Sequence, residues 1–145
     1  MNFDEIQKIG KKVREVCEEY IRGEYGDYHS SIDQSDLTGM CAIESFFFKK
    51  VLNEEGFPYV ECRLVSILNG AASHCYNVVY DDIAVDLTAT QFGMKKKVVI
   101  RDVDSHDKKI NGTDGRIVNR ILYWGSQSPS TTVINRLMKM YRNKK

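Results

Sequence analysis

Apolar residues return every three or four positions across the start of the chain: Phe3, Ile6, Ile9, Val13, Val16, Tyr20 and Ile21 stand among Lys, Glu and Arg. That spacing predicts an amphipathic helix over residues 3–22 with one buried stripe. Gly23 and Gly26 mark its end, and Cys17, beside the stripe, reads as a core thiol. Residues 24–39 carry Gly, Asp and Ser turn chemistry instead and read as a long loop. Loops of this length in compact domains are often functional, and this one delivers the chain to Cys41.

The helical pattern resumes with Ala42, Ile43, Phe46, Phe47, Val51 and Leu52. It predicts a central helix over residues 41–55, packed on more than one side and closed by Gly56 and Pro58. Cys41 and Glu44 fall in its first turn, and Thr38 stands where it can cap the entry. Three runs rich in Val, Ile, Tyr and Leu follow, over residues 59–68, 72–80 and 83–88, separated by Asn69-Gly70 and Asp81-Asp82. They read as strands with an antiparallel hairpin among them, and residues 97–103 read as a fourth. Residues 104–115 are a polar excursion, expected as a surface loop or hairpin tip. Residues 117–124 suit a strand or short helix, and a last helix is expected over 130–141, after Ser128-Pro129. With no repeat and no interdomain linker, one α+β domain over 1–145 is expected, a helix headed by Cys41 packed on an antiparallel β-sheet.

Composition narrows the function classes. A chain of 145 residues buries roughly two thirds of its unfolded surface as one domain and needs no staple. A net charge of +1 argues against a dominant nucleic-acid or membrane surface. The basic triplet Lys95-Lys96-Lys97 reads as solvated surface. Four cysteines (Cys17, Cys41, Cys62, Cys75) make no dense disulfide framework, so reduced thiols and a cytoplasmic location are expected. The first residues lack a basic stretch followed by an apolar core, and no apolar run approaches membrane-spanning length. Secretion without a cleaved signal is the alternative.

The candidate chemistry centres on Cys41. A cysteine in the first turn of a helix feels the positive end of the helix dipole and free amide hydrogens, and both favour the thiolate. Its partner must be one of three histidines. His29 sits in the loop and His106 in a charged turn, whereas His74 lies within a strand. Asp86 is 12 residues further on, so the two share a sheet face across a hairpin only if its loop has odd length. A loop of Tyr80, Asp81 and Asp82 pairs Val79 with Ile83 and puts Asp86 diagonal to His74, about 7 Å away at the backbone. A loop one residue earlier puts them directly opposite. Either register lets Asp86 hold one imidazole nitrogen while the other faces Cys41. Zinc held by Cys41, Cys62, His74 and Cys75 is the other option, disfavoured because adjacent His74 and Cys75 point to opposite strand faces. Isolated glycines make no phosphate loop or dinucleotide fingerprint.

Gly39-Met40-Cys41-Ala42, Ser73-His74-Cys75-Tyr76 and Val85-Asp86-Leu87-Thr88 together resemble the transglutaminase-like superfamily of papain-type cysteine enzymes. The run Asp86-Leu87-Thr88-Ala89-Thr90-Gln91-Phe92 is similar to the Asp-x-Thr-x-x-Gln-Phe of its small bacterial members. The resemblance covers about a third of the chain. It implies a catalytic Cys41-His74-Asp86 triad, a transglutaminase-like core, no metal or cofactor, and a protein or peptide substrate. Tyr76 stands where the family commonly has Trp, and Gln34 lies upstream of Cys41 but off the spacing of the papain oxyanion glutamine. Gln34, Tyr76 and Gln91 are the candidate oxyanion or substrate residues, beside the Cys41 amide. The implied function is cysteine-dependent acyl transfer, foremost amide hydrolysis by a protease, peptidase or amidase. The alternatives are a glutamine deamidase or transglutaminase acting as a toxin or effector, an arylamine acetyltransferase-like enzyme, and a catalytically silent binding module of the same fold.

Overall fold

The expected Phe3 stripe folds as helix α1 (Phe3–Tyr20), whose Ile6, Ile9, Val13, Val16, Cys17 and Tyr20 are buried, and which ends in a wider turn over Ile21–Tyr25. The computed structural model describes residues 3–25, 41–67, 72–92, 94–111, 116–121 and 131–144. The loop expected before Cys41, with the Thr38 cap, lies outside these from residue 26 onward.

Helix α2 (Cys41–Glu54) ends as its sequence requires. Gly56 adopts φ 97°, the Gly56 amide bonds the Asn53 carbonyl at 3.3 Å, and the Phe57 amide bonds the Leu52 carbonyl at 2.8 Å. This is the paired closure made by a left-handed glycine, with Phe57 folded back into the core. Strands β1 (Val60–Ile67), β2 (Ala72–Val79), β3 (Ile83–Asp86), β4 (Val99–Asp102) and β5 (Arg116–Ile121) follow. Helix α4 (Thr131–Asn143) is the last described element. The sheet order is β4-β3-β2-β1-β5 with every pairing antiparallel, so the architecture is α+β.

Residues 104–111 correct the expectation of a loop or hairpin tip over 104–115, of which 112–115 lie outside the described residues. Val103–Asn111 form helix α3. Asp102 Oδ2 accepts from the Ser105 amide at 2.9 Å, an N-cap in the usual place. Val103, His106, Asp107 and Ile110 are its buried face, at positions i, i+3, i+4 and i+7.

Strand alternation divides the core in two. Val60, Val79, Val85 and Leu87 pack with α1, α2 and α4, including Phe47, Phe48, Leu52 and Leu137. Residues one step out of phase, Val65, Tyr76, Val78 and Ala84, pack with Val103 and Ile110 of α3. Three helices cover one face of the sheet and α3 covers the other. The first of the two hairpin registers is the one adopted: Val79 pairs with Ile83, Val78 with Ala84 and Asn77 with Val85. The three-residue loop holds Tyr80 and Asp81 at φ 52° and 70°, left-handed values that close it tightly.

Candidate active site

Cys41 is the first residue of α2 and is half-buried. Backbone amides in that first turn have no helical partner, so the thiol sits where free N–H groups and the helix dipole gather. The helix is seated on the sheet close by. Asn77 Nδ2 donates to the Ser45 carbonyl at 2.8 Å and the Cys62 thiol reaches the same carbonyl at 3.5 Å. Cys41 packs against Cys62 and Cys75.

His74, fully buried near the start of β2, is coupled electrostatically to the Cys41 side chain. Its Nε2 lies 2.7 Å from Asp86 Oδ2. Burial alone would lower the pKa of this imidazole; the charge and hydrogen bond of Asp86, with Cys41, overcome it and raise the pKa to about 10. Burial likewise works against ionisation of Asp86, but His74 and His106 outweigh it and hold the carboxyl well below the usual carboxylate range. Asp86 Oδ1 accepts from the Thr88 amide at 2.9 Å and the Thr88 hydroxyl at 3.4 Å. The Asp-x-Thr spacing is therefore a local turn that points the carboxylate.

His106, assigned to a charged turn in the sequence, is fully buried on α3, with Nε2 2.8 Å from the same Asp86 Oδ2. Among the described residues its Nδ1 has no partner. The signal that could have found it was the 103-106-107-110 spacing, a stripe with only two aliphatic members.

Tyr76 is buried, its ring meeting His106 edge-on at 4.9 Å between centroids. Its hydroxyl donates to Asp107 Oδ1, and Arg63 reaches Asp107 Oδ2 at 3.5 Å. Burial, then Asp107, pushes the phenol well above its ordinary pKa. The hydroxyl is thus committed beneath the sheet rather than offered to a substrate oxyanion. Gln91 lies in a short 3-10 turn, Ala89–Phe92, its side chain outside the described residues, and Gln34 is outside them altogether.

Glu44, one turn along from Cys41, is fully buried; Ser45 Oγ approaches its Oε2 at 3.4 Å and Oε1 has no partner among the described residues. Burial first, then Asp86 and Cys41, favour its protonated form. Among the described residues no three or more His, Cys, Asp and Glu side chains are grouped to hold a metal ion, the Cys41, Cys62, His74 and Cys75 set included. No helix among them is long and apolar enough to cross a membrane.

No family model, no curated protein and no solved structure matches this chain. The arrangement can be read only from its chemistry: a thiol at a helix start, an imidazole coupled to it, and a buried carboxylate ordering the imidazole.

Proposed function

We propose that this chain is a cysteine-dependent acyl-transfer enzyme of the transglutaminase-like type that hydrolyses an amide bond. The observation that carries the reading is the 2.7 Å contact of His74 Nε2 with Asp86 Oδ2 while the same imidazole engages Cys41. A carboxylate so placed keeps the imidazolium charged and oriented, and the imidazolium in turn stabilises a thiolate.

In this mechanism the Cys41 thiolate attacks the amide carbonyl carbon, forming a C–S bond and an oxyanion to which the Cys41 backbone amide serves as one donor. His74 gives its proton to the leaving nitrogen as the C–N bond breaks. The neutral imidazole then takes a proton from water, whose oxygen adds to the thioester carbonyl. Collapse releases the acid and restores the thiolate–imidazolium pair. A protein or peptide is the proposed substrate, and an amine in place of water would give transamidation.

The test is the pH dependence of iodoacetamide alkylation at each cysteine, read by mass spectrometry, in the native protein and in His74→Ala. Rapid labelling of Cys41 below pH 7, lost in His74→Ala, is expected. Slow labelling with an ordinary thiol profile would overturn the thiolate mechanism in favour of a silent binding module.

A further inference from the structure

The Asp86 carboxylate serves two imidazoles rather than one. His74 and His106 approach the same oxygen, Oδ2, at 2.7 and 2.8 Å, each through Nε2. All three side chains are fully buried. One oxygen with two N–H donors divides its electron density between them, and each donor weakens the pull on the other.

We propose that His106 is a positioning residue of the Cys41-His74-Asp86 site, fixing the Asp86 carboxylate by an Nε2–H bond to Oδ2 and moderating its hold on the His74 proton. The proposal rests on the acyl-transfer reading above. Helix α3 is anchored for this task at adjacent residues. Asp107 takes the Tyr76 hydroxyl and Arg63 Nη2, while the Tyr76 ring stands edge-on to His106. Among the described residues, His106 meets Asp86 of β3 and the Tyr76 ring of β2, Asp86 in turn holds His74 of β2, and Asp107 on the same helix takes Tyr76 and Arg63 of β1. The anchoring matters because Asp86 ends a strand of only four residues, and a short strand end is a poor clamp for a buried charge.

Alkylation of Cys41 reports the effect without a substrate. On the acyl-transfer reading its rate is expected to rise once as the thiolate–imidazolium pair forms and again, at higher pH, as His74 loses its proton and frees the thiolate. The upper inflection marks the hold of Asp86 on His74. In His106→Phe, which keeps a ring but lacks the donor, Asp86 gives its whole acceptor strength to His74. The upper inflection is expected to rise by roughly one pH unit. His106→Gln, which offers an amide N–H near the place of Nε2, is expected to return it most of the way. An upper inflection unmoved in His106→Phe overturns the proposal, and equal shifts in both variants reduce His106 to a packing residue. A native protein without two inflections overturns the acyl-transfer reading itself, which separates the two failures. Should His106→Phe not fold, the imidazole 15N spectrum of the native protein decides: His106 protonated at Nε2 is expected, and a bare Nε2 could not donate and overturns the proposal.

Discussion

The guanidinium of Arg14 donates to the Leu87 carbonyl at 2.6 Å, tying the middle of α1 to the residue immediately after Asp86. It also reaches Thr90 Oγ1 at 3.2 Å and pairs with Glu18 at 3.4 Å, and it has no exposed surface. A buried cation in a polar network is costly to unpair. Arg14→Met is expected to lower stability by about 2–4 kcal/mol. The lower part of that span applies if Glu18 leans on Lys97, already 3.0 Å away. Urea unfolding measures the loss. Cys41 alkylation in the variant should also slow at equal folded fraction, because the chain beyond Asp86 is no longer held.

Stability should peak in mildly acid solution. Asp86, held below its ordinary 3.8, contributes stability above that value that is lost as the pH falls through its folded pKa. His74, raised from 6.5 to about 10, contributes stability that is complete below 6.5 and is lost as the pH climbs through 10. Glu44, raised above 4.5, has the sign of His74: its contribution declines as the pH rises past 4.5. The urea midpoint should therefore be lower at pH 9 than near pH 5.5. Glu44→Gln should flatten part of that slope, and a midpoint higher at pH 9 would contradict the buried charge arrangement.

The four thiols should react in two classes. Cys17, Cys62 and Cys75 are buried, and burial raises all three, Cys62 to about 12. Cys41 is half-buried. A brief pulse of iodoacetamide at pH 7 should modify Cys41 alone, with the other three appearing together across the urea transition. Prompt labelling of Cys75 in folded protein would show that the cluster beneath α2 is open.

Asn77 is the polar rivet between α2 and the sheet. Removing its 2.8 Å bond leaves the Ser45 carbonyl, of its two side-chain donors, only the weak Cys62 thiol at 3.5 Å. Asn77→Leu is expected to cost about 1–3 kcal/mol, seen as a lower melting temperature. Alkylation of Cys41 should slow with it, since α2 carries the thiol.

Much of this arrangement was legible in the chain, and the illegible part has one physical cause. The α1 stripe and the α2 limits follow from periodicity, because apolar residues advertise the face they bury, and parity narrowed the β2–β3 register to two choices, of which the pairing of Val79 with Ile83 is adopted. Parity alone set Asp86 beside His74 once the loop was given three residues. Helix α3 hid because two of its four inward residues are His106 and Asp107. A buried polar residue looks like a surface one until its partners across the interface, Asp86 and Tyr76, are known. The same ambiguity made His106 seem part of a solvated turn.

The loop Tyr80-Asp81-Asp82 acts as a counting device for the chemistry. Adding or removing one residue there would turn every side chain of β3 over and send the carboxylate to the opposite side of the sheet, away from both imidazoles. Changes of two would keep the side but shift the reach. Among descendants of this sequence, length variation between His74 and Asp86 should thus be tolerated far less than substitution, and insertions or deletions of an odd number of residues there should coincide with loss of cysteine reactivity. A single-residue insertion after Asp81 is the laboratory version of that event.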